Sequence, residues 1–109
     1  MKTIPGFPDY CVTKDGRVWS KPKYGRKGKW MKSMSDHKYL YVHLRKNKKR
    51  YIRKIHRLVL ETYVGLRPKG MECRHLNGDV NDNRLANLRW GTRSENQQDA
   101  VKHGTSPGF

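Results

Sequence analysis

His75 is followed at twelve residues by Asn87 and at twenty-one by Asn96, all within CRHLNGDVNDNRLANLRWGTRSENQQD at residues 73–99. A neutral imidazole can take a proton from water, and an amide oxygen is an acceptable ligand for a hard cation. Those are the two needs of metal-assisted phosphodiester hydrolysis: a base to activate water, and a cation to neutralise the pentavalent phosphate and the leaving 3′ oxygen. Taken singly, a histidine at a strand end is a surface hydrogen-bonder, and Asn83, Asn87 and Asn96 are turn or cap residues. The offsets taken together carry the hydrolytic reading.

Such residues need a frame. Residues 71–76 read as a strand ending near His75, followed by the polar loop NGDVNDNR and by LANLRWGT, in which Leu85, Leu88 and Trp90 are buried anchors around a second strand. Thr92-Arg93-Ser94-Glu95 matches a capping box, which predicts a helix from there to about His103, before Gly104. Upstream, Ile55, Leu58, Val59 and Thr62 fall at helical spacing, with Gly65 as a stop and Pro68 beyond it. A helix over residues 54–64 is expected, one face on the preceding hairpin and the other on the His75 segment. His56 in that helix reads as a core or half-buried histidine outside the chemistry.

The N-terminal half reads as β structure. IPGFPDYCVTKDGRVWS predicts a strand over residues 10–13, a turn at Lys14-Asp15-Gly16 and a strand over residues 17–20, with Phe7, Tyr10 and Trp19 closing a small satellite core. Residues 21–32, KPKYGRKGKWMK, set Pro22, Gly25 and Gly28 among lysines, Tyr24 and Trp30; this is poor packing material and predicts a mobile loop or ribbon that orders on binding. In YLYVHLR, Leu40, Val42 and Leu44 share one face while Tyr39, Tyr41, His43 and Arg45 share the other. A turn at Asn47-Lys48-Lys49 and a return strand over residues 50–53 complete a basic-tipped hairpin. The fold class is therefore α+β: a small N-terminal β-hairpin region plus a helix, then a strand–loop–strand–helix element. At 109 residues a single domain is expected, with a basic β-rich part at 1–57 and the remainder at 58–109.

Charge points to the partner. The chain has 25 Lys plus Arg against 9 Asp plus Glu, a net +16. Residues 14–57 hold 17 basic and two acidic side chains, whereas residues 58–109 hold 7 and 6. The basic residues lie among alternating aromatic and β-branched positions rather than along one helical face, which favours nucleic acid over membrane. Lys21, Lys23, Arg26, Lys27, Lys29, Lys32, Lys48, Lys49, Arg50 and Arg53 are the candidate phosphate contacts. Cys11 and Cys73 are far apart with no CxxC, so free thiols, buried or half-buried, are expected. MKTIPGFPDY lacks the apolar run of a secretory signal, and no stretch approaches membrane length; a cytoplasmic protein is expected.

The order strand, loop, strand, helix, with a histidine, then NRxxNLxW, then SEN, resembles the ββα-metal element of HNH endonucleases, most strongly their phage- and intron-encoded homing members. The segment IPGFPDYCVTKDGRVWS is similar to the short module that commonly precedes such elements, so the resemblance covers about residues 3–20 and 54–103. It implies His75 as general base, Asn87 as a loop-bracing residue and Asn96 as a metal ligand in the first turn of the last helix. It implies a divalent metal, Mg²⁺ foremost and Mn²⁺ as an alternative, with double-stranded DNA as partner and phage-infected or intron-bearing cells as the setting. Mg²⁺ retains waters and takes few protein ligands, so one or two side-chain oxygens can suffice.

One position departs from that pattern. The residue before the histidine is often a metal-binding aspartate in the family, and here it is Arg74, whose guanidinium cannot bind a cation. Either Arg74 holds the scissile phosphate and helps keep His75 neutral, or metal binding is lost and the protein only binds DNA, as a packaging or accessory factor. Glu72, Asp79, Asp82 and Glu95 are the carboxylates that could substitute as oxygen donors. A third reading is RNA binding, with single strands stacked on Tyr24, Trp30 or Tyr41. Family members with long recognition sites continue into a helix-turn-helix; this chain ends at KHGTSPGF, which implies a monomeric nickase of modest sequence specificity.

Overall fold

Alternating side chains and tight turns build the first half of the molecule. The computed structural model describes residues 1–36, 38–92 and 94. Strands β1 (Lys2–Ile4), β2 (Phe7–Val12), β3 (Val18–Ser20) and β4 (Lys29–Trp30) form an antiparallel sheet in that order, and β5 (Met34–Asp36), β6 (Tyr39–Lys46) and β7 (Lys49–Lys54) form a second. The β6–β7 turn is two residues, Asn47 and Lys48, both at positive φ, the geometry whose twist matches a tight hairpin. Leu40, Val42 and Leu44 face inward as their alternation predicts, with Val42 and Leu44 fully buried.

Residues 21–32 differ from the mobile ribbon the sequence predicts. Lys29–Trp30 pairs with β3 in the register Trp19↔Trp30 and Ser20↔Lys29. The two indoles meet edge to face at 5.0 Å, a contact that pins a two-residue strand, and Lys23↔Arg26 closes the turn between. Strands β1 and β5 are additions of three residues each at sheet edges, too short to show alternation. Phe7 and Tyr10 join the main core rather than a satellite one, while Trp19 stays half-buried.

Helix α1 (Ile55–Tyr63) follows β7 directly and ends where Val64 N–H and Gly65 N–H both donate to the Leu60 carbonyl at 2.9 Å. It buries Ile55, His56, Leu58, Val59 and Leu60, and touches β1, β2, β6 and β7 on one side and the C-terminal element on the other. That element is the antiparallel ribbon of β8 (Met71–His75) and β9 (Leu88–Thr92), with a 3₁₀ turn at Leu85–Asn87 leading into β9. Ile4, Val12, Val18, Val42, Leu44, Ile55, Leu58, Val59, Leu60 and Leu88 form one core drawn from both halves. Buried polar tips lock the pieces: the Tyr63 hydroxyl donates to the Val12 carbonyl at 2.7 Å, Arg45 N–H donates to the Tyr10 hydroxyl at 3.0 Å, and Trp90 Nε1–H donates to the Gly65 carbonyl at 3.1 Å.

Ser94 is helical, as the capping box predicts; the remainder of that helix, to His103, lies outside the described residues. No helix among the described residues is long and apolar enough to cross a membrane. Cys11 is buried and Cys73 half-buried, both free, and burial pushes the Cys73 thiol up to about 12.

Candidate active site

The loop between β8 and β9 is built from amide side chains. Asn87 Oδ1 accepts from Asn77 N–H, and Asn87 Nδ2 donates to Asn77 Oδ1 and to the Asp82 carbonyl, each at 2.9 Å. Leu76 N–H donates to the Asn87 carbonyl at 2.8 Å. One buried asparagine thus satisfies groups from both ends of the loop, which a hydrophobic residue or a shorter side chain could not do. The acidic residues serve the same structure: Asp79 accepts from Asn81 N–H at 2.9 Å, and Asp82 binds the Arg84 guanidinium and Asn77 Nδ2 at 2.8 Å. Arg84, first among its contacts, holds the Asp82 carboxyl well below the usual carboxylate range.

The loop delivers a partner to His75. His75 Nε2 lies 2.9 Å from Asn83 Oδ1, and both residues are buried. An amide oxygen only accepts, so the ring proton sits on Nε2 and Nδ1 carries the lone pair. Tyr39 stacks on the His75 ring at 6.0 Å and 17°, and His56 meets it edge-on at 5.1 Å. Burial lowers the His75 pKa first and Lys38 adds to it, while Asn83, Asp79 and Asp82 pull the other way. The ring is therefore neutral at physiological pH, as a base must be. Burial, rather than the expected Arg74 guanidinium, is the leading cause.

The sequence places His56 outside the chemistry, as a core or half-buried histidine. It is buried, with its Nδ1 lacking a hydrogen-bond partner among the described residues, and burial lowers its pKa to about 3, helped by His75, Lys54 and Arg57. Its ring, wedged between Tyr39 at 4.8 Å and His75, is a wall of the site. Sequence spacing gave no sign of this wall, because Tyr39, His56 and His75 come from three separate elements. Asn83 was within reach of sequence reasoning, as the first residue of the NRxxNLxW run.

Arg74 pairs across the ribbon with Arg89, while Cys73 pairs with Trp90 and His75 with Leu88. By strand alternation Arg74 and His75 occupy opposite faces of β8. Arg74 lies across Gly91: a Cβ there would fall 2.0 Å from Arg74 Cδ. Gly91 thus opens the bed in which the arginine stem is held. Among the described residues no group of three or more His, Cys, Asp or Glu is placed to hold a metal ion. Asp79 and Asp82 are committed to the loop and Arg74 cannot ligate, so these residues alone do not compose a cation site; Asn96 and Glu95 lie outside the described residues.

A cationic groove of about 940 Å³ runs between the first sheet and the β6–β7 tip. It gathers Lys21, Lys23, Arg26, Lys27, Lys29, Lys48 and Arg50 from the sequence candidates and adds His43, Arg45 and Lys46, against one acidic lining residue, Asp9. Asp9 binds Lys23 at 2.7 Å. Lys32, Lys49 and Arg53 do not line it; the Arg53 guanidinium instead lies over the Phe7 and Tyr51 rings at 5.3 and 5.1 Å. Tyr24, 88% exposed, projects from the adjoining turn.

The model of the HNH endonuclease family matches residues 53–98. Two uncharacterized HNH endonucleases of Acanthamoeba polyphaga mimivirus are 34% and 39% identical over 98 and 101 residues, alignments that take in 89% and 90% of this chain but only 28% and 24% of theirs. The chain therefore spans a minor part of the length of the curated relatives it matches. A structure described as DNA binding and cleavage by the HNH homing endonuclease I-HmuI superposes with a TM-score of 0.82 at 28% identity, covering 98% of this chain and 60% of that one. The match thus includes the basic sheets as well as the ribbon that carries His75, and residues 53–98 are similar to the HNH endonuclease family.

Proposed function

We propose that this chain hydrolyses phosphodiester bonds in double-stranded DNA, one strand per encounter, with modest sequence specificity. The observation that carries this reading is His75, neutral and fixed through Nε2 by Asn83 in a loop braced by Asn87, on the same molecule as a groove lined by lysine and arginine. In the proposed step, His75 Nδ1 takes a proton from water as the water oxygen attacks phosphorus; the P–O3′ bond breaks with its electron pair on O3′, which takes a proton from solvent to give a 3′-hydroxyl opposite a 5′-phosphate, and His75 returns its proton to solvent. Arg74, its stem held across Gly91, is the proposed phosphate contact of that strand. The lysines and arginines of the groove take the flanking backbone.

HNH nucleases generally use a divalent metal, and Mg²⁺, with Mn²⁺ as substitute, is the proposed cofactor here, with Asn96 as its side-chain ligand. Such an ion supplies charge neutralisation at the phosphate and leaving oxygen. With one base per chain, a monomer fits nicking better than a staggered double cut. Incubating supercoiled plasmid with the protein in Mg²⁺, Mn²⁺ or EDTA tests the reading: relaxed circles in the first two and intact plasmid in EDTA are expected. Arg74 favours a second reading, DNA binding without cleavage, for which the plasmid stays supercoiled under all three conditions yet shifts on a gel.

A further inference from the structure

The turn joining β2 to β3 abuts the loop that orients His75. Gly16, at φ +87°, lies so close to Asn83 that a Cβ would stand 3.1 Å from the Asn83 Cβ and 3.1 Å from its carbonyl oxygen. Two residues earlier, the Lys14 carbonyl accepts the Leu85 N–H at 2.7 Å. Residues 76–84 form turns rather than strand or helix, so contacts of this kind define where Asn83 sits. The turn is itself stiff: Thr13 N–H donates to the Arg17 carbonyl at 2.8 Å, Arg17 N–H donates to Thr13 Oγ1 at 2.9 Å, and the Thr13 hydroxyl donates to Asp15. Its base is tied to α1 through the Tyr63 hydroxyl on the Val12 carbonyl.

We propose that the turn of residues 13–17 is a positioning element of the active site, holding Asn83 in place and, through Asn83 Oδ1, the ring of His75. The proposal rests on His75 as the general base. It gives the N-terminal sheet a catalytic duty separate from gripping DNA. Gly16 is the contact point: it supplies both a positive φ, which a side chain resists, and the absence of a Cβ where Asn83 must pack. A neighbour displaced by tenths of an ångström transmits that shift to a base whose geometry sets the rate.

The glycines of the first sheet supply a controlled test. Gly6→Ala carries the same kind of strain, at φ +80°, with nothing within 4 Å of the added carbon. Gly16→Ala carries strain and contact; Gly16→Asn carries the contact with less strain, because asparagine tolerates positive φ. Single-turnover nicking of supercoiled plasmid at saturating protein is measured alongside plasmid affinity and melting temperature. Gly16→Ala and Gly16→Asn are expected to slow nicking about tenfold with affinity unchanged, and Gly6→Ala less than about twofold. In an Asn83→Ala background, Gly16→Asn should add less than about twofold, since both act through one contact. The hydrogen-bonded Nε2 proton of His75, observed by NMR of the full chain, should exchange faster in Gly16→Asn. If Gly16→Asn nicks like Gly6→Ala, or multiplies fully with Asn83→Ala, or leaves that proton protected, the positioning role is wrong. Nicking that survives His75→Ala strikes instead at the base assignment.

Discussion

The His75 loop and the cationic groove solve opposite problems. Around His75 the amides are committed, Asn83 to the His75 ring and Asn87 to Asn77 and the Asp82 carbonyl, and the ring is walled by Tyr39 and His56. In the groove the cations are supplied in excess, and Asp9 is the one acidic lining residue to offset them. A general base needs one nitrogen in one orientation, so each amide matters; a grip on a polyanion needs summed charge, so each cation matters little. Single substitutions should therefore act steeply in the loop and shallowly in the groove.

Among the residues that brace the site or line the groove, Asn87→Ala should produce the largest change. It strands the Asn77 N–H and the Asp82 carbonyl, so a stability loss of about 2–4 kcal/mol by denaturant melt and a fall in nicking of about a hundredfold are expected. A gentler effect lies at His56, in α1 against the His75 ring. Its folded pKa of about 3 sits below the usual 6.5, so the unfolded chain takes up the proton first as pH falls. That share of stability is whole above pH 6.5 and drains away between 6.5 and about 3, by up to about 1.4 kcal/mol per pH unit. Melting temperature should fall across that window, and His56→Leu should flatten the fall. The smallest effects belong to the groove: Lys27→Ala or Lys48→Ala should weaken DNA binding about threefold, and each should reduce the salt slope by about 0.9, without changing the single-turnover rate. A tenfold or larger effect on that rate from either lysine would erase the distinction between the two regions.

Much of this arrangement is legible in the sequence where one physical rule dominates. The β6–β7 hairpin follows from period-two burial of Leu40, Val42 and Leu44, and α1 follows from its apolar spacing and the stop at Gly65. His75 and Asn87 stand out because their offsets fall inside a patterned loop. What escaped depends on contacts between distant segments. Strand β4 exists because Trp30 finds Trp19, which no local composition reports. The wall of His56 and Tyr39 needs the helix and hairpin already packed, and the role of Gly91 is visible only once β9 lies beside Arg74. Asn83 sat inside the motif, but its polar loop context gave it the look of an ordinary turn residue.

His75→Ala measures the central claim most directly. On one duplex, single-turnover cleavage and gel-shift affinity are determined for the wild type and the variant at fixed salt and Mg²⁺. Removal of the proposed general base should lower the cleavage rate by about a thousandfold while affinity stays within about twofold, because the ring is buried and does not line the groove proposed to hold DNA. Cleavage that persists at the wild-type rate in His75→Ala would contradict the account, and would move the chemistry to another residue.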